Sequence, residues 1–133
     1  MDFTFRKAER LSGKKLIDEL FKDGSSFYLH PFKVYYLEKE IATASPVQVL
    51  MAVPSKNFPH AVDRNRIRRM MREAYRLNKH ELYFAQEKKK SLLVIGFLYA
   101  GKKIEPYAII SAKMVNALNR LLQNDGNIEK HIG

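Results

Sequence analysis

The chain has 133 residues, 46% hydrophobic and 29% charged, long enough to bury roughly two-thirds of its unfolded surface and too apolar for a disordered basic tail. It contains no cysteine, which excludes disulfide frameworks, thiolate metal sites and cysteine nucleophiles, and no apolar run approaches the ~18 residues of a membrane span. Twenty-four Lys and Arg against fourteen Asp and Glu leave a formal charge of +10, a field that attracts polyanions such as nucleic acid or an anionic membrane.

The first residues, Met1-Asp2-Phe3-Thr4-Phe5-Arg6, lack the charged-then-apolar order of a secretory signal, so a cytoplasmic location is expected. Residues 11–21 read as a first helix. Ser12 can cap it, Leu16, Ile17, Leu20 and Phe21 form a narrow apolar stripe, and Gly24 ends it. Residues 27–38 read as extended, in one strand or two, with Phe32, Val34 and Tyr36 on one face and Lys33, Tyr35 and Leu37 on the other. A turn-like stretch at 42–46 leads into 47–53, whose near-continuous apolar run suits a strand covered on both faces.

Pro54 and Pro59 bracket a loop, after which a helix opens near Val62 or Asp63 and runs to about Asn78. Residues 91–100 make the clearest buried strand. Pro106 suits the first position of a last helix, with Ile109, Ile110, Met114, Val115, Leu118, Leu121 and Leu122 inward and Asn124-Asp125-Gly126 as its stop. No repeat or linker divides the chain. A single domain over 1–133 is expected, ordered from about 5 to 123, with a polar tail at 124–133. The order helix, strands, helix, strand, helix predicts an α+β or α/β sandwich.

The informative charge lies in one segment. Seven basic residues fall between Arg64 and Lys79, with Glu73 the only acid among them. At ~100° per residue, Arg64, Arg68, Arg72, Asn65, Arg76 and Arg69 occupy about 140° of arc. Ile67, Met70, Met71, Ala74 and Leu77 take the opposite side, with Arg66 and Tyr75 near the boundaries. Like charges at i,i+4 destabilise a helix by some tenths of a kcal/mol each, so a sequence that accepts several of them points to a polyanion. Arginine grips phosphate bidentately and stacks on bases, and Asn65 adds an amide for a base edge or ribose hydroxyl. Other readings of this helix are a lipid-surface helix, a DNA recognition helix and a ribosomal-type RNA binder. The apolar side carries no excess of large residues for lipid, and the neighbouring strands do not suit a helix-turn-helix.

The string Ala61-Val62-Asp63-Arg64-Asn65-Arg66-Ile67-Arg68-Arg69-Met70-Met71-Arg72-Glu73-Ala74-Tyr75-Arg76 resembles the signature helix of the bacterial ribonuclease P protein family. The resemblance extends from about Phe5 to Leu122. It takes in Leu11 with Leu20-Phe21-Lys22-Asp23-Gly24, the strand Phe32-Lys33-Val34-Tyr35 and the turn Val53-Pro54-Ser55-Lys56. It implies a small α-β sandwich with a four-stranded sheet, three helices and a left-handed crossover that contains the Arg-Asn-Arg helix.

The resemblance also implies a function. The protein joins a catalytic RNA, and the complex removes the 5′ leader of precursor tRNA. Magnesium ions held mainly by the RNA serve the chemistry, with none held by the protein. Arg64, Asn65, Arg66, Arg68, Arg69, Arg72 and Arg76 become the RNA-facing set. A cleft between the first helix and the sheet holds the single-stranded leader, through Tyr35 as a stacking ring, Lys56 and Lys33 as cations, and Phe21. Ile17, Ala52 and Ser55 depart from the family's usual residues in that cleft.

Nothing in the chain supplies a nuclease site of its own. His30, His60, His80 and His131 are scattered, without an i,i+4 metal pair. The few carboxylates do not gather as a two-metal cluster requires, and Asp63 reads as a helix N-cap. Lys88-Lys89-Lys90 reads as a solvated loop. The expectation is a subunit without catalytic residues of its own, monomeric and needing no protein partner or membrane. A non-enzymatic ribosomal-type RNA-binding protein is the alternative, and a stand-alone nuclease the third reading.

Overall fold

The computed structural model describes the backbone of residues 4–41 and 43–132 and the side chains of 4–41 and 43–123. A 3-10 turn at Lys7–Glu9 precedes α1 (Lys14–Asp23), β1 (Ser25–Leu29), β2 (Phe32–Lys39) and β3 (Val47–Ala52). Then follow α2 (Ala61–Asn78), α3 (His80–Lys89), β4 (Leu92–Tyr99) and α4 (Tyr107–Ile132). The strands form a four-stranded sheet in the order β1-β2-β4-β3. β1 and β2 are an antiparallel hairpin, β2 pairs antiparallel with β4, and β4 pairs parallel with β3. A parallel pair needs a crossover, and here α2 and α3 supply it.

Alternation along the strands sorts side chains between two faces. One face carries Phe32, Val34, Val49, Met51, Ile95, Phe97 and Tyr99, packed with Ile67, Met71 and Tyr75 of α2 and Ile110, Met114 and Leu118 of α4. The other carries a smaller cluster in which Leu11 and Leu20 meet Leu92 and Val94, flanked by Leu16, Ile17, Tyr35, Leu37 and Leu50. α1 therefore covers only part of its face. Gly24 ends α1, its N–H donating to Leu20 O at 2.9 Å. A Cβ there would lie 2.4 Å from Leu20 O and 2.9 Å from Tyr36 O, so the tight entry into β1 demands glycine.

The structure departs from the sequence reading in several places. Among the described residues there are four helices, not three. α3 was missed because its apolar residues follow no single face: Leu82 is buried while Phe84 is exposed. Lys88 and Lys89 belong to it, and Lys89 Nζ reaches Glu38 Oε2 at 2.9 Å, so this lysine run is not a loop. Gly13, not Ser12, precedes α1, and His60, not Asp63, precedes α2. Asp63 stands inside the first turn, where its charge still suits the helix N-terminus.

Residues 27–38 are two strands separated by a turn that contains a cis His30-Pro31 bond. β3 is an edge strand. It buries Val47, Val49 and Met51 but leaves Gln48, Leu50 and Ala52 half-covered, so it is not enclosed on both faces. Ile109 is exposed rather than inward. α4 continues to Ile132 through the expected stop at 124–126. A mid-helix glycine costs only about 1 kcal/mol, too little to end a helix by itself. The side chains of the expected tail, His131 among them, lie outside the described residues. No helix among the described residues is long and apolar enough to cross a membrane.

Candidate RNA interface

α2 is held on the sheet by Ile67, Met71, Ala74 and Tyr75, all wholly buried. Tyr75 is not a boundary residue: its ring packs edge-on against Phe5 and Phe97, and its hydroxyl donates to Tyr83 Oη at 2.9 Å. Burial first, with the nearby Glu9 charge, raises the Tyr75 pKa above its ordinary value. This aromatic insertion turns the helix so that Asn65, Arg66, Arg69 and Arg72 face solvent together. Arg66 thus belongs to the exposed basic face, at its edge beyond Arg69. Leu77 of the expected packing side is 42% exposed.

The remaining cations of the helix have partners within the protein. Arg64 Nη1 donates to the carbonyls of Phe58 and Pro59, at 2.8 and 2.9 Å, and so closes the loop before α2. Arg68 Nη2 donates to Asn65 Oδ1 at 2.6 Å, orienting the amide that the sequence singled out. Arg76 pairs with Glu73 at 2.7 Å. The seven predicted residues therefore divide into an exposed group and a group that also shapes the helix.

The N-terminal arm adds a cation that the sequence reading missed. Arg10 bridges to Val49 at the edge of the sheet, and its guanidinium lies 5.4 Å from the Phe5 ring, which itself leans on Tyr75 of α2. Partial desolvation first, then the like charges of Arg10 and Arg68, hold the Arg72 pKa below its ordinary value. No spacing rule links positions 10 and 72, so only the fold joins them.

A buried polar knot fixes this arm. Lys79 and Glu9, 3% and 6% exposed, form an ion pair, and Lys79 Nζ also donates to Thr4 O. Glu9 accepts from Tyr83 Oη and from the Arg6 N–H, both at 2.7 Å. Burial raises the Glu9 pKa, but the hydrogen bonds from Lys79, Arg6 and Tyr83 outweigh it and the net shift is downward.

The second surface is the part of the sheet that α1 leaves open. Tyr35 and Phe21 meet edge-to-face with ring centres 4.7 Å apart, and Lys33 Nζ lies 5.4 Å from the Tyr35 ring. Phe21 is 42% exposed, which places it at the rim rather than in the core. Gly96 lies beneath: a Cβ there would sit 3.1 Å from Leu20 Cδ2 and 3.5 Å from Phe21 Cζ. The glycine thus lets α1 descend onto β4 and sets the Phe21 ring against Tyr35. Lys56 stands apart from these three. It is exposed in the loop that follows β3, four residues after Ala52. Among the described residues no three His, Asp or Glu side chains gather in a way that could hold a metal ion. His60 lies at the start of α2 without capping it.

An α+β sheet with an arginine-rich helix in its parallel crossover defines a small, basic, RNA-binding class of protein. A family model described as Ribonuclease P matches residues 5–122. The ribonuclease P protein component of Porphyromonas gingivalis is 32% identical over 122 residues, covering 92% of this chain and 89% of the relative. That of Chlorobium phaeobacteroides is 46% identical over 83 residues, covering 60% and 57%. The RNase P protein of Staphylococcus aureus superposes with a TM-score of 0.66 at 22% identity, covering 86% of this chain and 96% of that one. The Thermotoga maritima protein gives 0.65 at 22%, covering 84% and 96%. At such identities the solved structures speak for the fold alone.

The chain belongs to the ribonuclease P protein family. Membership favours the ribonuclease P reading over the ribosomal-type alternative.

Proposed function

We propose that this protein docks on the RNA of ribonuclease P through α2 and holds the 5′ leader of precursor tRNA on the open face of the sheet, assisting 5′ maturation while the RNA performs the cleavage. The observation that carries this reading is the exposed set Asn65, Arg66, Arg69 and Arg72 in the β3–β4 crossover, in a chain matched to the family over 5–122. Arg10 joins the set from the N-terminal arm, and Arg64, Arg68 and Arg76 shape it from within. Guanidinium groups spaced along one helix suit a phosphate backbone. The Phe21–Tyr35–Lys33 cluster suits a single strand, with rings for bases and a cation for phosphate.

Magnesium belongs to the RNA in this reading. The basic face of α2 carries one carboxylate, Glu73, and Arg76 occupies it, so these residues do not fit a magnesium site. The same division leaves the protein without a catalytic residue. Reconstitution tests it. The protein alone should leave precursor tRNA intact, and with a matched bacterial ribonuclease P RNA it should raise cleavage at low magnesium. No stimulation of the RNA would overturn the reading, and cleavage by the protein alone would restore the nuclease reading.

A further inference from the structure

The open face of the sheet continues past the Phe21–Tyr35–Lys33 cluster to the edge strand. Tyr28 of β1 is the direct cross-strand partner of Lys33, so it stands on the same face as Lys33 and Tyr35. Lys33 pairs in turn with Leu98, and Leu98 with Ala52. Tyr28 is therefore the outer end of a row that crosses the whole sheet beside α1. It is also 56% exposed, so its ring is open to a ligand on that face.

Its ring is nonetheless held in place. Tyr28 Oη lies 3.0 Å from His30 Nδ1, and His30 Nε2 lies 3.6 Å from Glu105 Oε2. With the His30 proton on Nε2, facing the carboxylate, Nδ1 accepts from the tyrosine hydroxyl. The turn beneath is tied to the loop after β4, where the Ala100 N–H donates to Pro31 O at 2.7 Å. The ring is thus ordered before any partner arrives, which lowers the entropic cost of stacking on it. Tyr28 and Tyr35 are diagonal neighbours, about 7–8 Å apart by strand geometry, and Lys33 lies between them.

We propose that Tyr28 is a second stacking platform, which extends the single-stranded track from Phe21 and Tyr35 across Lys33 to the β1–β2 hairpin. One base lies on Tyr35, a further base on Tyr28, and Lys33 holds the phosphate between. The Tyr28–His30–Glu105 chain is the positioning device for the outer ring. This rests on the leader reading above and deepens it: the protein reads a longer stretch of leader than the cleft beside α1 holds.

The test uses the reconstituted holoenzyme and precursor tRNAs with one body and leaders shortened stepwise from the 5′ end. Tyr28→Ala should weaken binding of the long-leader substrates about five- to tenfold, the low end for one base stacked on an aromatic ring. Tyr28→Phe should retain most of the affinity. As the leader shortens, the Tyr28→Ala and Tyr35→Ala penalties should vanish at different lengths. A penalty equal at every length, no penalty, or disappearance at the same length as for Tyr35→Ala overturns the second platform. If Tyr35→Ala stays leader-dependent while Tyr28→Ala does not, only the extension falls. If neither variant depends on the leader, the cleft reading falls with it. Thermal unfolding of Tyr28→Ala close to that of the parent separates lost contact from lost fold.

Discussion

The basic face of α2 and the open face of the sheet are both cationic, yet they are built differently. On α2, among the described residues, the side chains of Arg66 and Arg69 make no hydrogen bond or ion pair, and they stand exposed beside Asn65 and Arg72 without a shaped recess. On the sheet, Lys33, Tyr35 and Phe21 touch one another in sequence, and Gly96 sets how closely α1 presses them together. The first arrangement provides attraction for any polyanion; the second provides a surface with a defined width. Attraction comes from helical periodicity, and shape comes from strand register and a close approach of helix to sheet. The two surfaces meet at the N-terminal arm. Glu9 ties it to the end of α2 through Lys79, Arg10 extends the charge of α2, and Leu11 lies in the cluster beneath α1.

The largest effect is expected where both surfaces depend on one contact. Lys79→Ala leaves Glu9 as a buried charge without its cation, which costs about 3–5 kcal/mol. For a chain of this length the melting temperature should fall by about 10 °C or more, read by thermal unfolding. A fall of only a degree or two would mean that the arm is held without this pair. The pH dependence has a definite sign. The Glu9 pKa in the folded protein lies below the ordinary 4.5, so its stabilising contribution is complete above that value and is lost as pH falls through the folded value. Glu9→Gln should therefore differ most from the parent near neutral pH, and the gap should narrow below about pH 4.5.

The two surfaces also differ in how far the sequence discloses them. The exposed arginines of α2 follow from spacing, because a helix repeats its geometry and one string of residues contains the whole face. The error there was a rotation: Tyr75 looked like a boundary residue, and nothing local shows that Phe5 and Phe97 enclose it. The strand faces of β2 were equally plain from alternation. By contrast, no periodicity joins Phe21 to Tyr35, which only the family resemblance placed in one cleft. Nothing in the sequence joins Arg10 to Arg72, since those meetings depend on register and on the path of the arm. α3 escaped notice because a helix that buries Leu82 and Gln86 but exposes Phe84 has no single apolar stripe to detect. The Glu9–Lys79 pair reads in sequence as two ordinary surface charges.

The difference between field and shape can be tested directly on α2. Replacing Arg69 and Arg72 together by Ala should weaken binding to the ribonuclease P RNA and flatten its salt dependence. If each guanidinium meets one phosphate, the log–log slope should fall by about 0.7–0.9 per residue. Precursor and mature tRNA should be affected alike, whereas Tyr35→Ala should weaken the precursor selectively. A selective loss in the α2 double variant would move leader recognition onto the helix and erase the distinction between the surfaces.

The smallest effect concerns the free protein, and its sign is the informative part. Arg72 lies one turn from both Arg68 and Arg76 and feels the charge of Arg10. Each like-charge neighbour on a helix costs about 0.2–0.5 kcal/mol, so Arg72→Gln should stabilise the RNA-free protein by several tenths of a kcal/mol at low salt. Near 1 M salt the Debye length shrinks to about 3 Å, and the gain should fade in unfolding measured under the two conditions. The same variant should bind RNA less tightly, because the repulsion it relieves is what a polyanion neutralises. If Arg72→Gln instead destabilises the free protein, this guanidinium has a structural task within the fold. In that case the α2 surface would resemble the sheet surface, with its cations held by the protein before RNA arrives.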